Sequence, residues 1–185
     1  IGVYVHEFGH LLGLPDLYDP TLNSRGIGDW GLMGLGTWNG ATKGESPAWP
    51  GAWSRVALEW AAPVIPTDDL ADVSLAPVQS GGPVYYLWED GAANTEFFLV
   101  ENRQQIGYDT GLPSHGLLVW HIDETETGNT SPPGDHYDCD WPNHYLVALQ
   151  QAQGTLDLES NLNDGDPADP YPGGFSNTEF SLTST

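Results

Sequence analysis

Apolar and polar positions follow different periods in the two parts of the chain. From Gly2 to Leu12 the apolar residues Val3, Val5, Leu11 and Leu12 accompany a helical spacing of polar groups, and Gly13 followed by Pro15 supplies a stop. A helix is expected to end near Leu12. Residues 15–48 are dense in Gly, Asp, Asn and Pro and read as a long irregular segment with tight turns. A loop of this length in a compact protein is usually functional. The stretch "AWPGAWSRVALEWA" returns to helical spacing through Trp53, Val56, Leu58 and Trp60, until Pro63 ends it. Beyond it, "DVSLAPV", "PVYYLWE", "EFFLVENR", "GLLVWHID" and "HYLVALQQA" are short runs rich in Val, Leu and aromatics, each bounded by turn residues and read as strands. The pattern is α+β, with the helices early and a β-rich second half. No internal repeat is visible, and only 160–174, "SNLNDGDPADPYPGG", approaches low complexity.

Composition narrows the partners more than the fold. The chain has 185 residues, long enough for a real core. Its 26 Asp and Glu face four basic residues, Arg25, Lys43, Arg55 and Arg103, for a formal net charge of −22. Such a surface repels nucleic acid and anionic lipid, and it suits divalent cations, saline surroundings or simple solubility. Most of these carboxylates read as solvated surface groups, so no single one is evidence of a site. The lone Cys139 has no disulfide or CxxC partner in the chain and reads as an incidental thiol. No apolar run approaches the roughly 18 residues of a membrane span, and no basic and apolar leader stands at the start. The chain opens on "IGVYV" without a Met, inside an expected helix, and is read as a piece of a longer protein.

The chemistry is concentrated in "HEFGHLLGLPD". Residues four apart on a helix differ by about 40° around the axis, so His6 and His10 project from one face and can offer two imidazole nitrogens to one ion. Glu7 sits on the flank of that face, where a carboxylate reaches a water at the metal without displacing it. The five-residue pattern alone also occurs by chance. Its continuation is more specific. Gly13 can take the positive φ that turns the chain back beneath the metal, and Asp16, six after His10, falls where the HExxHxxGxxH pattern of metzincins places its third histidine. A carboxylate oxygen binds zinc at about 2.0–2.2 Å, so Asp16 can fill that place; otherwise it is a turn residue after Pro15, and Asp19, Asp29 and Glu45 are the fallback ligands. Met33, the only methionine, stands in the Gly-rich "GDWGLMGLGTWNG" as a Met-turn does, an apolar floor that also reads simply as core filling.

These segments resemble the immune inhibitor A family of secreted zinc metallopeptidases, metallopeptidase family six. The resemblance rests on "HEFGHLLGLPDLYD", "GIGDWGLMGLGTWNG", "AWSRVALEW", "EFFLVENRQQIGYDTGLPSHGLLVWHID" and "GDPADPYPG", in that order along nearly the whole chain. It implies a zinc endopeptidase acting on extracellular proteins, with Zn2+ on His6, His10 and Asp16, Glu7 as general base and acid, and Met33 as the Met-turn. It also implies that signal, pro-segment and N-terminal subdomain precede this segment. Residues 1–63 then form the C-terminal part of a metzincin-like catalytic domain, and 64–185 a β-rich subdomain packed on it or continuous with it. Without the preceding sheet, Val3 and Val5 are expected to be exposed and the segment by itself to be inactive.

Secondary expectations are weaker in their signal. Tyr18 and the histidines His115, His121, His136 and His144 are candidates to stabilise an oxyanion, although lone histidines usually serve structure. Asp164, Asp166 and Asp169, with Asp157 and Asn163 nearby, offer hard oxygen ligands to calcium, but their spacing is not that of an EF-hand, and a solvated acidic loop explains them equally. Two rival functions remain: a gluzincin-type peptidase with Glu59 as third ligand, and a non-catalytic β-rich binding or processing module that keeps a zinc site.

Overall fold

The computed structural model describes residues 1–88, 94–130, 145–174 and 176–180. Cys139, His136 and His144 lie outside the described residues. The fold is α+β: among the described residues two short helices and several one-turn 3-10 segments pack against a four-stranded antiparallel sheet. Helix α1 spans Gly2–Leu11. It ends in a Schellman turn, in which Gly13 adopts φ +98 while its N–H donates to His10 O and the Leu14 N–H donates to Gly9 O. The expected stop is therefore made by glycine's freedom at positive φ.

Helix α2 is shorter than its apolar spacing predicts, covering only Ala52–Ala57. The correction has a physical cause. Glu59 turns left-handed at φ 58, Trp60 N–H donates back to Arg55 O, and the chain leaves so that Val64 can bridge Tyr85 at the sheet edge.

The strands are β1 Tyr85–Trp88, β2 Glu96–Arg103, β3 Gly116–Asp123 and β4 Val147–Leu149, paired in that order. The expected strand at "DVSLAPV" is absent. Asp72 takes φ 54, the run is largely exposed, and a 3-10 turn at Val78–Ser80 follows it. "HYLVALQQA" contributes three residues to the sheet. After them Gln151 turns its side chain to accept the N–H groups of Asp157 and Leu158.

Side chains of a strand alternate between faces, and the register assigns both faces of β2 and β3. Phe97, Leu99, Trp120 and Ile122 lie on one face, in a buried cluster with Leu14, Leu17, Ile27, Trp30 and Met33 from the first third of the chain. Phe98 and Val119 lie on the other, with Ala152 and Tyr171. One continuous apolar core thus joins the loop after α1 to the sheet. Helix α1 itself is buried mainly through His6 and two glycines. A Cβ on Gly2 would overlap the Thr37 carbonyl oxygen. Its outward side presents Tyr4, Val5, Phe8 and Leu11 to solvent, together with Val3. Among the described residues no helix is long and apolar enough to cross a membrane.

Candidate metal centre

The α1 spacing and the Schellman turn bring three side chains able to bind a metal to one point. His6 Nε2 lies 3.1 Å and His10 Nε2 3.3 Å from Asp16 Oδ1. The imidazole rings stand 4.8 Å apart and nearly perpendicular, at 89°. Four donors held at about 2.0–2.2 Å by a tetrahedral ion lie roughly 3.3–3.6 Å from one another, and the two His–Asp separations lie close to that range. Among the described residues, His6, His10 and Asp16 are the only group of three or more His, Cys, Asp or Glu drawn together closely enough to share a metal.

The second partners of the histidines set the tautomers. His6 Nδ1 donates to Leu32 O at 2.9 Å, and His10 Nδ1 donates to Leu14 O at 2.8 Å. Each ring then turns Nε2 toward the Asp16 carboxylate, the nitrogen left to bind a metal. A proton on Nε2 or a metal ion among the three lets these groups face one another in a half-buried corner. The donor set, imidazole nitrogens with a carboxylate, is one that zinc takes readily.

The surrounding groups are placed as follows. Glu7 is exposed on α1, one residue round the helix from His6. Tyr18 lies with its ring 6.2 Å from that of His6. Burial pushes the Tyr18 phenol up, and the Asp16 charge, its hydrogen bond to Asp16 and the Glu7 charge add to this. Met33 is fully buried, with its sulfur against Gly9 of α1, the place of an apolar floor. The fallback ligands are engaged elsewhere. Asp19 is buried and binds the Thr21 hydroxyl and N–H. Glu45 is held below the usual glutamate range by hydrogen bonds around Thr42. Asp29 sits in the 3-10 turn Gly28–Trp30, where burial first and the neighbouring Asp164 charge second push its carboxyl up to about 6. Glu59 follows α2 in a left-handed conformation and stands in no ligand group.

The acidic turn is arranged around other partners. Asp164 pairs with Arg25 at 2.9 Å. Asp169 is fully buried and accepts from the Trp30 indole at 2.8 Å and from Gln153 at 3.0 Å. Asp166 accepts from the Ala168 N–H at 2.7 Å and the Asn163 amide at 3.0 Å. Asp164, Asp166 and Asp169 are not drawn into a shared ligand group. Of the late histidines, His121 is buried in β3 beside Glu96, and His115 is exposed before it; neither belongs to the metal group. The sequence reading missed the carbonyls of Leu14 and Leu32 that orient the imidazoles, since any residue offers a carbonyl and nothing in residue type marks it.

Comparison with known proteins agrees with this corner of the molecule. Residues 1–61 match the model of the immune inhibitor A peptidase M6 catalytic domain. The pre-pro-metalloprotease PrtV of Vibrio cholerae serotype O1 is 38% identical over 60 residues, 31% of this chain and 6% of that protein. Immune inhibitor A of Bacillus thuringiensis subsp. alesti is 47% identical over 49 residues, 25% of this chain and 7% of that protein. The matched part therefore spans under a tenth of the length of these curated relatives. No solved structure matches the chain. The first third of this chain, with the His6, His10 and Asp16 triangle inside it, is thus similar to the catalytic domain of the immune inhibitor A peptidases, family M6.

Proposed function

We propose that this chain carries the metal-binding half of a zinc-dependent endopeptidase of metzincin type, exported to act on extracellular proteins or peptides. The observation that carries the reading is the triangle of His6, His10 and Asp16, with each imidazole already donating its Nδ1 proton to a backbone carbonyl. Similarity of residues 1–61 to a metallopeptidase family and to metalloproteases supports it. When bound, zinc polarises a scissile carbonyl and lowers the pKa of water at its open position to about 7.

The remaining roles belong to the chain. Leu32 O and Leu14 O hold the two imidazoles in the tautomer that leaves Nε2 free to bind. Glu7, exposed on α1, accepts a proton from the attacking water and returns it to the leaving amine. Met33 floors the site from beneath α1. The Tyr18 hydroxyl, hydrogen-bonded to Asp16, is a side chain able to donate to a developing oxyanion.

A gluzincin-type site is disfavoured because Glu59 lies beyond α2 and outside the ligand group. A non-catalytic module remains the rival reading, and a pair of variants separates the two. Purified protein is expected to hold about one zinc per chain, as the three-ligand site requires, and to lose it on Asp16→Ala. In the full-length protein Glu7→Ala is expected to abolish proteolysis with zinc still bound, because the base is not a ligand. Unchanged zinc in Asp16→Ala moves the third ligand elsewhere, and near wild-type cleavage by Glu7→Ala removes the assigned base.

A further inference from the structure

We infer that Arg103 of β2, in the half of the chain beyond residues 1–61, is a positioning residue of the metal centre. The inference rests on the zinc reading above.

The period of two along β2 places Glu101 and Arg103 on the same face as Phe97 and Leu99, looking into the core. Arg103 is fully buried, and all five of its N–H donors are engaged. Nε and one terminal nitrogen bind the Asp109 carboxylate at 2.9 and 2.7 Å. That second nitrogen also reaches Trp49 O at 3.4 Å, while the other donates to Trp30 O and to Glu101, each at 3.3 Å. Asp109 in turn accepts the Trp49 N–H at 2.8 Å.

Trp30 and Trp49 bracket the segment that supports the ligands. Leu32 N–H donates to Trp49 O at 3.3 Å, and Leu32 O accepts from His6 Nδ1. Met33 O accepts the Leu17 N–H at 2.9 Å, which fixes the chain one residue beyond Asp16. Two successive carbonyls thus orient one ligand and anchor the segment of another. Their place is set by a guanidinium that grips the backbone on either side. A lysine has three donors on a flexible stem and cannot hold both carbonyls and a bidentate carboxylate at once. Loosening the grip lets the Leu32 and Met33 peptides shift, and His6 and Asp16 shift with them.

The experiment uses the full chain and reads two properties of the site. Zinc affinity is measured by competition with a chromophoric chelator, and Co2+ in place of zinc reports coordination geometry through its visible absorption. Arg103→Lys is compared with Arg55→Lys, which disturbs the same buried network through the far oxygen of Glu101 but has no hydrogen bond to Arg103, Trp30 O or Trp49 O. All measurements are made where circular dichroism shows each variant folded. Arg103→Lys is expected to weaken zinc binding about tenfold, in the range typical of groups that orient metal ligands, and to alter the Co2+ spectrum. Arg55→Lys is expected to lower the melting temperature while leaving both readings near wild type.

Should Arg103→Lys fail to fold, Asp109→Asn loosens the same fork more gently and is expected to move both readings in the same direction. Wild-type affinity and spectrum in whichever of these folds, or equal changes in Arg55→Lys, overturn the inference while leaving the zinc reading intact. A wild-type chain that binds neither ion overturns the zinc reading and this inference with it.

Discussion

Asp29 gives the most direct test of the electrostatics of the loop beneath the metal centre. Its N–H donates to Asp164 O at 2.6 Å and its carbonyl accepts from the Asn39 amide at 3.0 Å, so its backbone is fixed whatever its charge. The carboxyl is half-buried, faces the Asp164 charge, and is pushed from 3.8 up to about 6, with Arg25 and Lys43 offsetting part of the rise. Between those two values the folded state holds a proton that the unfolded chain has released. Stability from this group is therefore full below pH 3.8, falls as pH rises through the window, and is lost above about 6. A shift of about two units at 1.36 kcal/mol each corresponds to at most ~3 kcal/mol. Asn keeps the shape and removes the charge. Asp29→Asn is expected to stabilise the protein by ~2–3 kcal/mol at pH 8 and by almost nothing at pH 4. Urea unfolding followed by tryptophan fluorescence, in chelator and at a series of pH values, measures the difference. General repulsion in a chain of net charge −22 is nearly common to both proteins and cancels. A difference that does not change between pH 4 and pH 8, or a variant less stable at pH 8, refutes the reasoning.

Two further outcomes are expected. In an exposed helix Gly→Ala stabilises by about 1 kcal/mol, but at Gly9 the new Cβ would stand 2.5 Å from the fully buried Met33 sulfur. Gly9→Ala should therefore lower the melting temperature, and an unchanged or higher value shows that Met33 yields without cost. For the acidic turn, Asp164 already pairs with Arg25 and Asp169 with Trp30, so millimolar calcium should act on the melting temperature no differently from sodium chloride of matched ionic strength. A saturating, calcium-specific rise that Asp166→Asn abolishes would establish the calcium site instead.

Much of the geometry of the candidate site was legible from spacing alone. His6 and His10 share a helix face because four residues nearly complete a turn, and Gly13 ends that helix because it can enter positive φ. The runs "EFFLVENR" and "GLLVWHID" are the observed β2 and β3, as their aromatic and β-branched content predicts. Local rules failed where distant contacts decided. "ALEWA" keeps helical spacing, yet the chain leaves α2 at Ala57 so that Val64 can meet β1. "DVSLAPV" has strand composition but does not join the described sheet.

The same division runs through the polar groups. Asp164 and Asp169 look alike in sequence, and only the fold sends one to Arg25 and buries the other against Trp30. Arg103 is one of four basic residues in a strongly acidic chain, and composition gives no reason to expect it inside. Alternation along β2 does place it on the face shared with Leu99, which is the one local signal of its burial. Residue identity and short-range geometry determined the grouping of His6, His10 and Asp16, the helix face the two histidines share and the turn that returns Asp16 to them. Backbone carbonyls carry no residue type, and a buried charge is tolerable only beside partners far away in sequence. The tertiary structure alone therefore decided which carbonyls orient the histidines and which strand holds the loop beneath them.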